Sequence, residues 1–281
     1  MKLITVPVLI ALMLTGCGEE PRDQTEAVPE DPGTIVLTAN GEDFVSEGFI
    51  SRDGWDISFD HVFVTLAEIQ PARTDPPFRA ESDREFIGER DLMAAASPVT
   101  VDLASDSIVE VARLSSAPVG QYNALSWKLV PSDEGPSAGY SILLQGTAVK
   151  DDITLPLLIG FESSWLYEGG EYVGEERRGR LDPDGEVTLE MTFHLDHLFG
   201  DGTLPSDDPL NTDAPGFELF AEFADSARVT DMALLEQELP EEEFLLLGRV
   251  LAGLGHVGEG HARCTELPPA DRETAPIVTE P

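Results

Sequence analysis

Strand-like patterns of apolar and polar residues dominate the 281-residue chain between about residue 56 and residue 195. In "DISFDHVFVTLAEI" (56–69), apolar side chains fall on both faces of an extended strand. A strand that is apolar on both faces is typical of a layered sheet. The same pattern, bounded by turn residues, predicts further strands at 98–103, 122–131, 140–149 and 153–165, and one that follows the Asp-Gly turn of "LDPDGEVTLEMTFHL".

After residue 195 the pattern changes to that of short helices. "PGFELFAEFAD" (215–225) and "TDMALLEQEL" (230–239) predict two of them. A stronger helix is predicted at 240–255, because proline and acidic residues begin the segment and Gly255 ends it. The chain is therefore predicted to be mainly β, an antiparallel β-sandwich over 34–200 with a small helical region over 201–265 packed on it.

The two ends of the chain predict export and flexibility. "MKLITVPVLIALMLTGC" has the form of a signal peptide (1–16), and its end resembles a bacterial lipobox, which implies that Cys17 is lipidated and becomes the mature N-terminus. An ordinary signal peptide that happens to contain a cysteine is the alternative. Residues 17–33 are predicted to form an acidic tether, and 266–281 a disordered tail.

A lipidated Cys17 would place the protein in the cell envelope, attached to a membrane through its lipid. The resemblance to bacterial lipoproteins implies the outer membrane rather than the inner one, because Gly18 and not Asp follows the cysteine. Disulfides persist in such an exported compartment. With Cys17 lipidated, Cys264 would have no partner within the chain.

The charge of the chain argues against one class of partner. There are 54 acidic residues against 17 basic ones, for a net charge of −37. Such a surface repels phosphate backbones, so nucleic acid is not expected to bind. High solubility in salt accounts for the charge without any specific function.

The chemistry-bearing residues are few and concentrated. The chain has five histidines and two cysteines. Apart from His61 and Cys17, they fall in "TFHLDHLFGD" and "GHVGEGHARC", as His194, His197, His256, His261 and Cys264. A turn from strand into helix near Leu195 would let His194 and His197 face one point. The spacing of His256, His261 and Cys264 would let these three surround one ion.

Imidazole and thiolate ligands suit zinc or copper, and iron less specifically. Asp196 is the favoured carboxylate ligand, with Asp201 and Glu259 as alternatives that could ligate or orient a histidine. Each short motif is unspecific taken alone. Histidine after a helix can simply cap its C-terminus. Cys264 could be a buried thiol, and His61 is expected to be a hydrogen-bonded core residue.

Other chemistry finds less support. The chain lacks a GxSxG motif, a P-loop and a dinucleotide fingerprint. Acidic segments at 181–186 and 206–213 could hold calcium, but the ligand order of an EF-hand is absent, so solvated loops are the expected form.

Part of the chain resembles known exported proteins. "LSSAPVGQYNALSWKL" (114–129) followed by "YSILLQGTAVKDDITLPLLIGFE" (140–162) is similar to exported bacterial β-sandwich lipoproteins of unknown function and to methanobactin-associated periplasmic metal-binding proteins. The pairing "TFHLDHLFGD…HVGEGH" resembles a further feature of such lipoproteins. The resemblance covers roughly residues 55–200. It implies a sandwich fold and binding of copper or another transition metal.

Three functions follow as hypotheses. The first is a lipid-anchored, non-enzymatic metal-binding protein that exchanges copper or zinc with a periplasmic metal-handling partner. The second is a structural or adhesion-type envelope lipoprotein whose histidines only stabilise packing. The third is an enzyme that uses a metal-bound water, with Glu259 as its base.

Overall fold

The structure, a computed structural model, describes residues 31–83, 85–105, 108–170, 179–258 and 260–268. The predicted signal peptide (1–16), Cys17, most of the tether and most of the C-terminal tail lie outside the described residues, as does Glu259. The described chain is mainly β, as the sequence predicts, with short helices concentrated toward its C-terminus.

Strand is the commonest regular structure in the described chain, and the strands vary from 2 to 17 residues in length. In chain order they are β1 (Gly33–Asn40), β2 (Phe49–Ile50), β3 (Asp56–Ala72), β4 (Val99–Asp102), β5 (Val109–Ala117), β6 (Gly120–Gln121), β7 (Ala124–Leu129), β8 (Ile142–Lys150), β9 (Ile153–Phe161), β10 (Ser164–Gly169), β11 (Arg180–Leu181), β12 (Glu186–Phe193), β13 (Gly255–Val257) and β14 (Gly260–Leu267). The helices are α1 (Glu42–Ser46), α2 (Asp196–Phe199), α3 (Pro209–Asp213), α4 (Glu218–Ala221), α5 (Met232–Glu238) and α6 (Glu241–Ala252).

One large sheet contains most of the strands. Its order is β5-β1-β12-β13-β14-β10-β7-β3-β8-β9, with β2 and β4 also paired to β3. The β13–β14 hairpin joins the two halves of this sheet. A small separate sheet pairs β6 with β11. The strands thus form a continuous hydrogen-bonded path through the hairpin.

The prediction of an antiparallel arrangement is wrong at one place. β1 and β12 run parallel, in a register that pairs Thr34 with Glu186 and Asn40 with Thr192. Parallel neighbours need a long connection, and these two strands are separated by more than half of the described chain. The sheet is therefore mixed.

Apart from a small separate cluster of four residues, one large buried cluster fills the interior. It takes side chains from both halves of the sheet, including Leu37, Leu189, Ile57 and Trp127, and from the helices, including Leu247. The apolar residues on both faces of the 17-residue strand β3 account for its central place, because β3 pairs with β7 and β8 along its two edges.

The predicted helical region of 201–265 needs correction. Helices lie near the predicted positions, but 255–257 and 260–265 are extended: β13 pairs with β12, and β14 pairs with β10. The helix predicted at 240–255 ends at Ala252, and β14 continues into the predicted tail as far as Leu267. The extended conformation of β13 and β14 depends on backbone pairing with strands that are distant in sequence, and the local sequence pattern does not predict such pairing. None of the described helices combines the length and the apolar character that crossing a membrane requires.

Candidate metal centre

Strand pairing brings the two histidine-bearing segments to one place in the sheet. The segment that leaves β12 carries His194 and His197, and β13 lies beside β12 with Thr192 paired to His256. The His194 amide donates to the Leu254 carbonyl at 3.0 Å, which fixes the start of one segment against the other. Two regions far apart in sequence thereby become neighbours.

The first segment turns from strand into helix where the sequence predicts. Within α2, the His197 amide donates to Asp196 Oδ1 at 2.9 Å. The rings of His194 and His197 lie 5.4 Å apart, centroid to centroid. Potential ligand atoms of His194, Asp196 and His197 all lie within 4.8 Å of one another. The predicted convergence of these side chains on one point is therefore present.

The second segment is a hairpin in which His256 and His261 pair directly across from each other. Their ring centroids are 5.1 Å apart. The His256 ring lies 4.2 Å from that of His194 and 5.3 Å from that of His197. Four of the five histidines therefore form one group, which we call the histidine cluster: His194, His197, His256 and His261.

His256 is the most buried member of the cluster, with 5% of its surface exposed. Its Nε2 lies 3.2 Å from the Gly253 carbonyl, which can only accept, so Nε2 carries the proton. Nδ1 then presents a lone pair, and it is buried without a hydrogen-bond partner among the described residues. Burial first, and then the nearby histidines, lower the pKa of His256 to about 3. The ring is therefore neutral at neutral pH, as ligation requires.

The same burial acts on the residues of α2. It lowers the pKa of His197, an effect that the Asp196 carboxylate opposes. It raises the pKa of Asp196, an effect that His197 and His194 oppose. Burial thus disfavours the charged form of both side chains, and a bound cation would favour the carboxylate.

Glu42 is a site residue that the sequence analysis missed. Its Oε2 lies 3.1 Å from Nδ1 of His194. The parallel register explains the contact: Asn40 pairs with Thr192, so the chains leaving β1 and β12 emerge at the same edge of the sheet. Glu42 has φ of 58°, a left-handed conformation that costs free energy in a residue other than glycine. Only knowledge of the parallel pairing could have identified it.

Cys264 does not join the histidine cluster. His261 and Cys264 are three positions apart on β14, so their side chains project from opposite faces of the strand. Cys264 pairs across the sheet with Tyr167 and shares a side-chain hydrogen bond with it. The prediction that His256, His261 and Cys264 surround one ion is therefore wrong for Cys264, because His261 and Cys264 lie on the extended strand β14.

The remaining candidates also lie apart. His61 contacts the Asp102 carboxylate at 2.7 Å and stacks on Phe63, and about half of its side chain is exposed, unlike the predicted core histidine. Asp201 accepts hydrogen bonds from the amide and hydroxyl of Thr203 in its own turn. In the acidic segment 206–213, Asp208 caps α3 by accepting from the Leu210 amide.

The histidine cluster borders an open pocket of about 610 Å³. His197 and His261 form part of its wall, and α3 and α6 supply most of the rest. The chain matches no protein-family model, and we found no curated protein and no solved structure that is similar to it.

Proposed function

We propose that the protein binds one transition-metal ion, zinc or copper, at the histidine cluster, with Asp196 as the carboxylate ligand. His194, Asp196 and His197 would form the core of the ligand set, and His256 and His261 would supply further imidazoles from the hairpin. Cys264 has no part in this proposal, because it projects from the other face of β14.

The observation that carries the proposal is the convergence of four histidines from two distant segments, with ring centroids between 4.2 and 5.4 Å apart for the neighbouring pairs. A core that needed only packing would be filled by apolar side chains, which bury at no cost in hydrogen bonds. Here burial opposes protonation of His256 and His197, so the cluster presents neutral nitrogen donors.

The dimensions of the site are compatible with an ion after a small contraction. Ligand atoms around a tetrahedral zinc ion lie about 3.4 Å apart, whereas those of His194, Asp196 and His197 spread over as much as 4.8 Å. Side-chain rotations that move the ligand atoms by on the order of 1 Å would bring all three within bonding distance of one ion. The contact between Glu42 and His194 fits the role of an outer carboxylate that fixes a ligating imidazole.

Nitrogen and carboxylate donors favour zinc or divalent copper over magnesium or calcium, which prefer oxygen ligands throughout. The ion would hold Asp196 ionised and would replace the protons that otherwise compete for the imidazoles. Binding and transfer of metal to a periplasmic partner, rather than catalysis, is the activity we propose.

The test is the metal content of the purified protein, measured by plasma mass spectrometry after loading with zinc or copper and removal of unbound ion. We expect close to one ion per chain in the wild type and a loss of most of it in the double variant His194→Ala/His256→Ala. His61→Ala is the matched control, since His61 contacts Asp102 and Phe63 instead. A wild type that retains no metal would favour the alternative hypothesis, a structural or adhesion-type envelope lipoprotein whose histidines only stabilise packing.

We also propose that the protein is anchored to the cell envelope by lipid on Cys17, on the outer membrane. The lipobox-like "LTGC" and the resemblance to exported lipoproteins support this proposal. Radiolabelled fatty acid should be incorporated by the wild type and not by Cys17→Ser. Equal labelling of the two proteins would exclude an anchor at this position.

A further inference from the structure

The pocket beside the histidine cluster has a composition that the proposed metal site does not explain. Its wall combines apolar side chains of two helices, namely Leu210 from α3 and Leu246 and Val250 from α6. The pocket is about 610 Å³ in volume, within the range of cavities that hold small organic ligands. An ion needs neither this space nor this apolar wall.

Two opposite charges stand on the same wall. Asp213 at the end of α3 and Arg249 in the last turn of α6 both line the pocket. Neither is within 4.0 Å of an oppositely charged partner among the described residues, whereas Arg73, Arg113 and Arg263 all form ion pairs. An acid at the C-terminal end of a helix is also unfavourable for the helix dipole, so α3 gains nothing from Asp213.

The overall charge of the protein limits the ligands that such a pocket can hold. With a net charge of −37, the chain as a whole repels anions and attracts small cations. A net-neutral ligand escapes that field. A carboxylate and an ammonium group on such a ligand would suit Arg249 and Asp213, and its apolar body would suit the apolar part of the wall.

We propose that this pocket binds a small zwitterion with an aliphatic body, a free amino acid or a dipeptide. Its carboxylate would pair with Arg249 and its ammonium group with Asp213, and its side chains would lie on Leu210, Leu246 and Val250. The pocket shares His197 and His261 with the proposed ligand set, whereas the five side chains that would contact the zwitterion lie outside that set. A ligand bound there would nevertheless lie next to the histidine cluster.

The test uses four probes of related shape in calorimetric titrations of the metal-free protein: leucine, leucyl-leucine, N-acetyl-leucyl-leucine and leucyl-leucine amide. Acetylation removes the positive end and amidation removes the negative end, while the apolar body stays the same. We expect saturable binding of leucyl-leucine or leucine, with each blocked dipeptide binding about 5-fold or more weakly than leucyl-leucine. The two zwitterions separate the free amino acid from the dipeptide as the preferred size.

Variants then assign each end of the ligand. Arg249→Gln should weaken the binding of leucyl-leucine by about as much as amidation of the ligand does. In that variant, amidation should lower the affinity little further, because both changes remove the same contact. Asp213→Asn should behave in the same way toward acetylation. Arg228→Gln is the matched control, since Arg228 is exposed and does not line the pocket.

Equal binding of the zwitterion and both blocked forms would overturn the proposal, as would the absence of binding by leucine and leucyl-leucine in a protein that unfolds at its normal temperature. An equal loss of affinity for leucyl-leucine in Arg249→Gln and Arg228→Gln would also overturn it, because Arg249 would then act only through the charge of the surface. Metal content is measured separately on the same preparations, so failure of this pocket and failure of the metal site are distinguishable.

Discussion

The rings of His194 and His256 lie 4.2 Å apart, although one residue follows strand β12 and the other lies in the C-terminal hairpin. Their approach depends on the pairing of β12 with β13 and on the bond from the His194 amide to the Leu254 carbonyl. An ion that bridges the two segments would therefore tie the hairpin to the rest of the sheet. Binding of metal and stability of the fold should be linked.

Metal should raise the thermal stability of the protein. Zinc at a free concentration about 100 times its Kd stabilises a folded protein by about 2.7 kcal/mol, which corresponds to roughly 5–10 °C in Tm for a chain of this size. Scanning calorimetry with and without zinc should show this shift in the wild type and in His61→Ala. The double variant His194→Ala/His256→Ala should show almost none, and an equal shift in all three proteins would place the ion elsewhere.

Glu42 should strengthen metal binding through its contact with His194, while its own left-handed backbone destabilises the fold. Loss of its carboxylate contact to His194 should weaken zinc binding by about 10- to 100-fold in Glu42→Gly and in Glu42→Ala alike. The metal-free proteins should differ, because glycine adopts φ of 58° without strain and alanine does not. Glu42→Gly should be the more stable of the two by about 1 kcal/mol in urea unfolding.

Each half of that prediction can fail separately. Wild-type zinc affinity in both variants would show that the carboxylate does not support His194. Equal stability of the glycine and alanine variants would show that the local backbone relaxes and that no strain is stored at this position.

The sequence predicts well those features that depend on local pattern. The two-faced apolar pattern of residues 56–69 predicts a strand of a layered sheet, and proline, acids and glycine bound α6 to within a few residues. The pair His194 and His197 was also predictable, since a strand-to-helix turn near Leu195 is a local event. In each case neighbours within a few positions determine the conformation.

Features that depend on distant pairing were not predictable. The hairpin of β13 and β14 forms on the edges of β12 and β10, and it sends Cys264 to the opposite face from His261. Likewise, Glu42 reaches His194 only because β1 and β12 run parallel. Period-two patterns assign faces within a strand, but they do not say which strand lies beside it.

Cys264 should be an unreactive thiol that is dispensable for metal binding. Burial raises its pKa to about 12, although the hydrogen bond with Tyr167 acts in the opposite direction. At pH 8 its alkylation should be slower than that of an unperturbed exposed thiol by on the order of a thousand-fold, because only the thiolate reacts. Cys264→Ala should keep the wild-type metal content. Loss of metal in this variant would show that the hairpin rearranges to bring the sulfur to the ion.

Acid should destabilise the metal-free protein through His256. Its pKa is about 3 in the folded state against 6.5 for an unperturbed histidine, so between these values the unfolded chain binds a proton that the folded chain does not. Stability contributed by the neutral ring is complete above pH 6.5 and is lost as the pH falls toward 3. The limiting slope for one proton is about 1.4 kcal/mol per pH unit.

The other titrating groups act with known signs. His197 has a lowered pKa and adds to the loss in acid. Asp196 has a raised pKa, so the folded state holds its proton more strongly and the effect of Asp196 opposes that of the histidines.

Urea unfolding of wild type and His256→Gln between pH 7 and 4, with chelator present, isolates the contribution of His256. As the pH is lowered, the free energy of unfolding should fall more steeply in the wild type than in His256→Gln, while the slope against urea concentration stays the same in both proteins. Parallel curves would mean that His256 becomes protonated in the folded protein without resistance from its surroundings.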